Sequence, residues 1–401
     1  MTVRSARCST GCSSGKGRYS NKDAVAGIYV HIPFCKSRCA YCGFFSTTSL
    51  ELRQRYVDAV CREYELRNHI GSKSPICPIG QPATVYLGGG TPSTLAPNQL
   101  EQLFATLVDG AVPPVEVTME CNPDDVTPDF AVLLRRLPVN RVSMGAQTFS
   151  DERLRFIGRR HTSHQVAEAV DRLRQAGIDN ISIDLMYGFP GETLDDWQRD
   201  IDKALALDVE HLSAYALTYE EGTPLHRMLE QGLIQQTDEE LSRSMYYSLV
   251  DRLTAVGYEH YEISNFARPG RRSRHNSSYW NHTPYIGLGA AAHSFDGRCR
   301  SWNVADIMRY IEGVEQGRME TDCEMLEGDT LYNDLLMTAL RTIDGLSLDR
   351  LDDARRRYCL RQAERYIDGG LLVYDKETGR LRLSRDGLFV SDMVMSDLML
   401  V

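Results

Sequence analysis

The stretch that decides the fold is Tyr29-Val30-His31-Ile32-Pro33-Phe34-Cys35-Lys36-Ser37-Arg38-Cys39-Ala40-Tyr41-Cys42-Gly43-Phe44. An apolar, strand-like run, Ala26 to Ile32, delivers the chain into a loop whose cysteines are spaced C-x3-C-x2-C. Three thiolates this close in sequence can face one soft metal centre together. An iron–sulfur cubane normally takes four cysteines, so three local ones predict a cluster with one iron open to something other than protein. The same spacing admits a structural zinc site with His31 as fourth ligand, or three unpaired thiols. Zinc motifs usually come as two C-x2-C pairs, and the second pair is missing.

Downstream of that loop the chain settles into a repeat. Residues 49–70 read as a long amphipathic helix, with Leu52, Tyr56, Val60 and Tyr64 at near-helical spacing. A Pro/Gly/Ser-rich connection fills 71–82. Strand patterns at 83–87, 115–119, 141–144, 181–185 and 211–215 then alternate with helical patterns at 97–108, 128–137, 163–176 and 193–207. Each unit has the length of a βα crossover, roughly thirty residues, and such alternation implies a parallel sheet with outer helices. With the opening strand this makes six strands, short of a closed eight-fold barrel.

Beyond the repeat lie a charged helical stretch over 220–253 and a strand-like pattern over 257–267. A basic loop, Arg268 to Arg274, leads into His275-Asn276-Ser277-Ser278-Tyr279-Trp280. A bridging helix is expected over 304–316. Helices over 331–342 and 348–368 and a short hairpin, 371–374 with 381–383, give the end of the chain a winged-helix-like pattern. The chain therefore divides into a basic tail over 1–22 expected to be disordered, a core over 23–256, a connecting segment over 257–320 and a small C-terminal domain over 321–401.

The totals exclude several classes. The chain has 401 residues, 42% hydrophobic and 25% charged, an ordinary balance for a globular protein with a substantial core. A formal charge of −10 lacks the basic footprint of a sequence-independent nucleic-acid binder. No run of about twenty apolar residues predicts a membrane-spanning helix, and the N-terminus lacks the apolar core of a secretory signal. Eleven cysteines is an odd count, and eight of them are scattered. A disulfide framework is not expected, and a reducing compartment, the cytoplasm, is. The first 22 residues carry Arg4, Arg7, Lys16, Arg18 and Lys22 and no acid, which also fits a transit-peptide fragment, though a short and non-amphipathic one.

In parallel α/β architectures ligands sit at the carboxyl ends of the strands. Gly88 to Gly90 follow the second strand, where a backbone without Cβ lets a ligand approach, and the run matches neither dinucleotide nor P-loop spacing. Glu120 ends the third strand and can accept from an ammonium or a ribose hydroxyl. Gln147 ends the fourth, and Arg159 beyond it carries a planar guanidinium suited to a carboxylate. Asp184 ends the fifth. Singly, each reads as a surface or capping residue; at successive strand ends they form a convergent polar rim.

The cysteine array with Tyr41 inside it, followed by Gly88-Gly89-Gly90-Thr91-Pro92, resembles the radical S-adenosylmethionine (SAM) superfamily. Tyr29-x-His31-Ile32-Pro33-Phe34-Cys35 narrows the resemblance to the oxygen-independent coproporphyrinogen III oxidase-like family. The likeness runs from about Val25 to the C-terminus. It implies an α/β fold, a (β/α)6 partial barrel with a small C-terminal winged-helix-like domain. It implies a [4Fe–4S] cluster on Cys35, Cys39 and Cys42, with SAM chelated at the open iron and cleaved to a 5′-deoxyadenosyl radical. The family's SAM contacts fall on Tyr29, Gly89, Gly90, Thr91, Glu120, Gln147, Arg159 and Asp184. In the dehydrogenases several of these, with the aromatic matching Tyr41, serve a second SAM.

Two features bear on the subfamily. Phe44 stands where authentic dehydrogenases carry a further cysteine, which argues against porphyrinogen oxidation. His275-Asn-Ser-Ser-Tyr-Trp280 resembles the H-N-x-x-Y-W signature of HemW-type haem chaperones. That resemblance implies haem as cargo, haem-accepting proteins and an electron donor to the cluster as partners, and transient contact with membrane-bound haem proteins. A histidine can ligate haem iron, Tyr279 and Trp280 can cover a macrocycle face, and the run Arg268 to Arg274 can meet its propionates. His282 and His293 compete with His275 for the iron. The expected function is a haem chaperone with no catalytic residue assigned; the alternative is an oxygen-independent coproporphyrinogen III dehydrogenase.

Overall fold

Alternating side chains build the six strands of the repeat: β1 (Gly27–Ile32), β2 (Thr84–Gly89), β3 (Glu116–Cys121), β4 (Arg141–Gln147), β5 (Ile181–Tyr187) and β6 (His211–Ala216). Each pairs in parallel with the next. These coordinates are a computed structural model, which describes residues 27–69, 82–108 and 112–400. The tail expected over 1–22 and nearly all of the connection over 71–82 lie outside the described residues.

Helices α1 (Arg53–His69), α2 (Pro97–Leu107), α3 (Pro128–Leu134), α4 (Asp151–Phe156), α5 (Ser163–Gln175) and α6 (Leu194–Ala206) run between the strands. Local chemistry starts them. Proline occupies the first position of α2 and α3, where no amide proton is needed. Gln165 and Asp196 reach back to accept from the cap amides of Thr162 and Thr193 at 2.9 and 3.1 Å. Then packing takes over. Val117, Met119, Val142, Met144, Ile181 and Ile183 point outward into one buried core with the helices. The residues between them, Thr118, Glu120, Arg141, Ser143, Ser182 and Asp184, turn to the inner face, because successive side chains alternate. The inner face is therefore polar.

After α7 (Pro224–Glu230) and α8 (Glu239–Ala255) the sheet grows further than the repeat predicts. Strands β7 (Glu259–Glu262) and β8 (Asn265–Ala267) add to the edge of β6. Helix α9 (Arg274–Trp280) follows, then β9 (Tyr285–Leu288), β10 (His293–Phe295), β11 (Cys299–Asn303), α10 (Ile307–Glu315) and β12 (Thr321–Met325). Strand β9 pairs in parallel with the free edge of β1, and β10 to β12 continue antiparallel. The twelve strands run β12-β11-β10-β9-β1-β2-β3-β4-β5-β6-β8-β7. Its two outer edges, β12 and β7, are not neighbours, so the sheet is open among the described residues.

Two sequence expectations change here. No strand was expected over 285–288, because a four-residue run ending beside glycine shows no alternation; the open edge of β1 makes it one. The segment carrying His275 reads from sequence as a loop, yet it is helical from Arg274. The carboxylate of Glu116, at the start of β3, accepts from the backbone N–H of Arg274 and His275 at 2.8 and 2.9 Å. That satisfies two of the helix's open donors and places an anion at its positive end.

A second buried core forms past β12. Helices α11 (Gly328–Leu340), α12 (Asp353–Asp368), α13 (Arg385–Phe389) and α14 (Ser391–Leu398) pack on a three-stranded antiparallel sheet, β13 (Leu346–Ser347), β14 (Leu372–Asp375) and β15 (Arg380–Leu383). The two helices and the hairpin stand close to the ranges the sequence predicts, and α13 and α14 add to that pattern. Phe389 of α13 meets Tyr246 and Tyr247 of α8, which ties this unit to the larger one. Among the described residues no helix is long and apolar enough to cross a membrane.

Candidate functional site

The cysteine loop is pinched shut at its base. Cys35 N–H donates to Thr47 O at 2.9 Å and Thr47 N–H to Pro33 O at 2.6 Å. The loop then docks on two neighbours: Ala40 donates to Ile157 O and accepts from Leu225 N–H at the start of α7. Lys36 reaches Asp125 at 2.6 Å, and the buried Asp125 carboxylate also takes Ser93 at 2.8 Å and Arg160 at 3.3 Å. One carboxylate thus clamps the cysteine loop, the turn after β2 and the segment after α4.

Cys35, Cys39 and Cys42 are half-buried free thiols that open on one cavity. Burial raises the thiol pKa of Cys35 and of Cys42. Around the same cavity stand Tyr41, Gly89, Gly90, Thr91, Glu120, Gln147, Arg159 and Asp184, the predicted rim. Thr91 Oγ1 lies 3.6 Å from Cys35 Sγ, and Arg159 Nη1 donates to Cys39 Sγ at 3.7 Å. The rim and the thiols are one site.

Glycine is demanded at two points. Gly89 has φ +106°, the left-handed region that side chains rarely adopt. A Cβ on Gly90 would sit 2.8 Å from Ile32 O and 2.9 Å from Phe34 N, so the strand turn and the cysteine loop touch backbone to backbone. Gln147 also has positive φ, +65°, next to a register shift between Gly145 and Gln147. Such strain in a non-glycine residue collects at functional sites.

The charges are tuned by burial. Glu120 accepts from Tyr86 OH at 2.7 Å and Gly89 N–H at 3.1 Å, yet burial pushes its pKa up to about 7. Burial also raises Asp184, against the pull of Ser213, Arg141 and Arg159. Arg159 donates to Asn122 Oδ1 at 2.9 Å and Gly145 O at 2.5 Å, so it crosses the cavity with a fixed guanidinium. Ser143, Gly145 and Asn122 line the cavity too. Ser143 and Gly145 share the inward period of β4, the one signal in the sequence that points to them.

The residues around this cavity have the chemistry to hold an iron–sulfur cluster with a small polar ligand beside it. Three thiols share a cavity with an approachable glycine backbone and a guanidinium beside one sulfur. The zinc alternative finds less support. His31 has both ring nitrogens engaged, with Tyr29 OH at 3.0 Å and Phe45 O at 2.9 Å. Among the described residues no three His, Cys, Asp or Glu side chains converge as a site for a single ion.

Two predicted residues lie elsewhere. Tyr29 faces the interior beneath the rim, beside Tyr86 and His275. His275 is fully buried. Its Nδ1 pairs with Thr84 Oγ1 at 2.8 Å and its Nε2 with Tyr279 OH at 2.8 Å, and its ring stacks on Tyr86 at 5.2 Å. Burial, helped by Arg141, lowers its pKa to about 3. Helix α9 therefore seals the amino-terminal end of the strands, with no imidazole nitrogen presented to a ligand. Of the run Arg268 to Arg274, Arg268 is committed to Asp208 at 2.9 Å and Arg272 to Glu259 at 3.0 Å. His282 is paired with Asp334 at 2.9 Å, while His293 keeps an exposed ring stacked on Trp302.

The radical SAM superfamily profile matches residues 29–204. The Bacillus subtilis (strain 168) protein named heme chaperone HemW is 36% identical over 335 residues, 81% of this chain and 86% of the relative. The protein of that name from Mycobacterium tuberculosis (strain ATCC 25618 / H37Rv) is 35% identical over 382 residues, 93% of this chain and 94% of its own. A mouse protein, radical S-adenosyl methionine domain-containing protein 1, mitochondrial, is 28% identical over 398 residues, 93% of this chain and 87% of its own. The solved structure of coproporphyrinogen III oxidase (HemN) from Escherichia coli, a radical SAM enzyme, superposes with a TM-score of 0.78 at 21% identity, over 94% of this chain and 90% of that one. At that identity the likeness concerns the fold, α/β with a large parallel sheet.

Proposed function

The chain belongs to the HemW haem-chaperone family of radical SAM proteins, and on that premise we propose that it binds haem and delivers it to haem-accepting proteins. The observation that carries the reading is the shared cavity of Cys35, Cys39 and Cys42 with the strand-end rim, in a chain related to HemW proteins over most of its length. We assign the three cysteines to a [4Fe–4S] cluster and the rim to SAM.

Such a cluster, when bound, supplies one-electron reduction to SAM at its open iron. The rest is done by this chain's residues. Gly89 and Gly90 let a ligand lie against the backbone. Glu120 and Asp184 accept from an ammonium or ribose hydroxyls, and Arg159 holds a carboxylate beside Cys39. Tyr29 supports the rim from below through His31. His275 fastens α9 across the floor, which leaves the exposed His293 first, and His282 only if it leaves Asp334, as the histidines to test against the haem iron. Free thiols and an oxygen-sensitive cluster call for reducing surroundings, so the cytoplasm is the proposed compartment, with an electron donor to the cluster as a further partner.

An anaerobic haem titration followed at the Soret band tests the reading. Saturable, near-stoichiometric binding supports it, and its absence overturns it. The coproporphyrinogen III dehydrogenase alternative draws on the HemN-like fold but meets Phe44, a 69% exposed side chain at the cavity mouth in place of a thiol. A coproporphyrinogen assay with SAM and reductant decides it. Cys35→Ser is expected to abolish the cluster's visible absorption; a full iron complement in that variant removes the cysteine assignment.

A further inference from the structure

We propose that the cleft between α9 and the C-terminal unit is a site for a pair of carboxylates, and, resting on the haem-carrier reading above, that it grips the two propionates of the cargo. The cleft encloses about 410 Å3 and is lined by Arg272, Arg350 and Arg380, with Asp344 as its single acid and Trp280 on its α9 wall. Three guanidinium groups against one carboxylate is a marked local excess in a chain of net charge −10.

Arg380 donates to the carbonyls of Asp344 and Gly345 at 2.8 and 3.3 Å and meets no carboxylate among the described residues. Arg350 has no ion pair or hydrogen bond among the described residues; burial lowers its pKa, and the Arg380 charge beside it adds to that. Two like charges held together without an acid between them gain from an anion that bridges them. Arg272 is anchored to Glu259 at 3.0 Å and lies 3.8 Å from Asp344.

Helix geometry supplies the second wall. His275 and Tyr279, four residues apart, share the face that closes the strands. Trp280, one residue on, turns to the other side and lines the cleft. Arg341 sits over its ring at 4.9 Å. The buried indole N–H of Trp280 has no acceptor among the described residues, and such a donor is normally satisfied. The helix thus splits its own motif: one half is structural, and the other sets the Trp280 side chain on the cleft wall beside three arginines. A planar ligand with two carboxylates at one edge matches that surface, since guanidinium binds carboxylate in a fork and aromatic faces take flat apolar rings.

The test compares haem with haem dimethyl ester, which lacks both negative charges, on wild type, Arg350→Gln/Arg380→Gln and a control that removes two exposed arginines elsewhere, Arg135→Gln/Arg318→Gln. Circular dichroism and cluster absorption confirm that each chain is folded. Wild type and the control are expected to bind haem roughly tenfold more tightly than the ester, a ratio that falls with salt. The Arg350/Arg380 variant is expected to bind both alike, at the wild-type ester affinity. A variant that keeps the full preference for haem overturns the cleft while leaving the carrier reading intact. Wild type that binds neither ligand overturns the carrier reading itself, and the cleft with it.

Discussion

Replacing His275 by glutamine tests whether this residue belongs to the floor of the fold. Its ring is fully buried and bonded at both nitrogens, and burial holds its pKa at about 3, against 6.5 for an ordinary histidine. Between those values the unfolded chain takes up a proton that the folded chain refuses. A group whose folded pKa is lowered contributes stability above the unfolded pKa and loses it as pH falls. At pH 5, about 1.5 units below 6.5, the loss is about 2 kcal/mol at roughly 1.36 kcal/mol per unit; at pH 7.5 it is close to zero. Glutamine removes this proton while keeping one donor and one acceptor. His275→Gln is expected to be about 1–3 kcal/mol less stable at pH 7.5, from lost packing on Tyr86 and poorer bonding to Thr84 or Tyr279. That deficit shrinks by about 2 kcal/mol at pH 5, where only wild type bears the protonation cost. Urea unfolding followed by tryptophan fluorescence at both pH values measures it. An unchanged deficit at pH 5 would mean that His275 is not buried as a neutral ring, and the sealed floor would be wrong.

Three further outcomes follow from the cavity. Gly90→Ala drives a Cβ into backbone atoms of Ile32 and Phe34 that cannot step aside; about 1–3 kcal/mol of overpacking should shift the cysteine loop and lower iron and sulfide content after reconstitution, and full loading would contradict the contact. With Glu120 titrating at about 7, SAM affinity in wild type should weaken about tenfold from pH 8 to pH 6 through this residue, since only the ionised fraction pairs its charge with an ammonium. Glu120→Gln should lose that component while keeping the slope of the ligand's own amine, and equal slopes by equilibrium dialysis would remove Glu120 from the contact. Asp125→Asn weakens the clamp on Lys36, Ser93 and Arg160, so a chelator should strip iron several-fold faster; an unaltered rate would show that the loop holds without it.

The sequence by itself determined the repeat, the cysteine loop and the rim, because each rests on local signals: strand and helix periodicity, and glycine or charged residues at strand ends. Its six strands stand where those signals put them, and Gly89, Gly90, Glu120, Gln147, Arg159 and Asp184 line one cavity with the cysteines, whereas Tyr41 and Thr91 enter only through the family resemblance. Tertiary structure decided the rest. Strand β9 exists because β1 has a free edge, a fact no four-residue window contains. The direction in which His275 points was equally hidden. Glu116, 159 residues away in sequence, caps the helix that carries it, and Thr84 and Tyr86 from another strand receive its ring. A motif names the residues of a helix. Only the partners that the fold brings to each face fix which of them are sealed in and which meet a ligand.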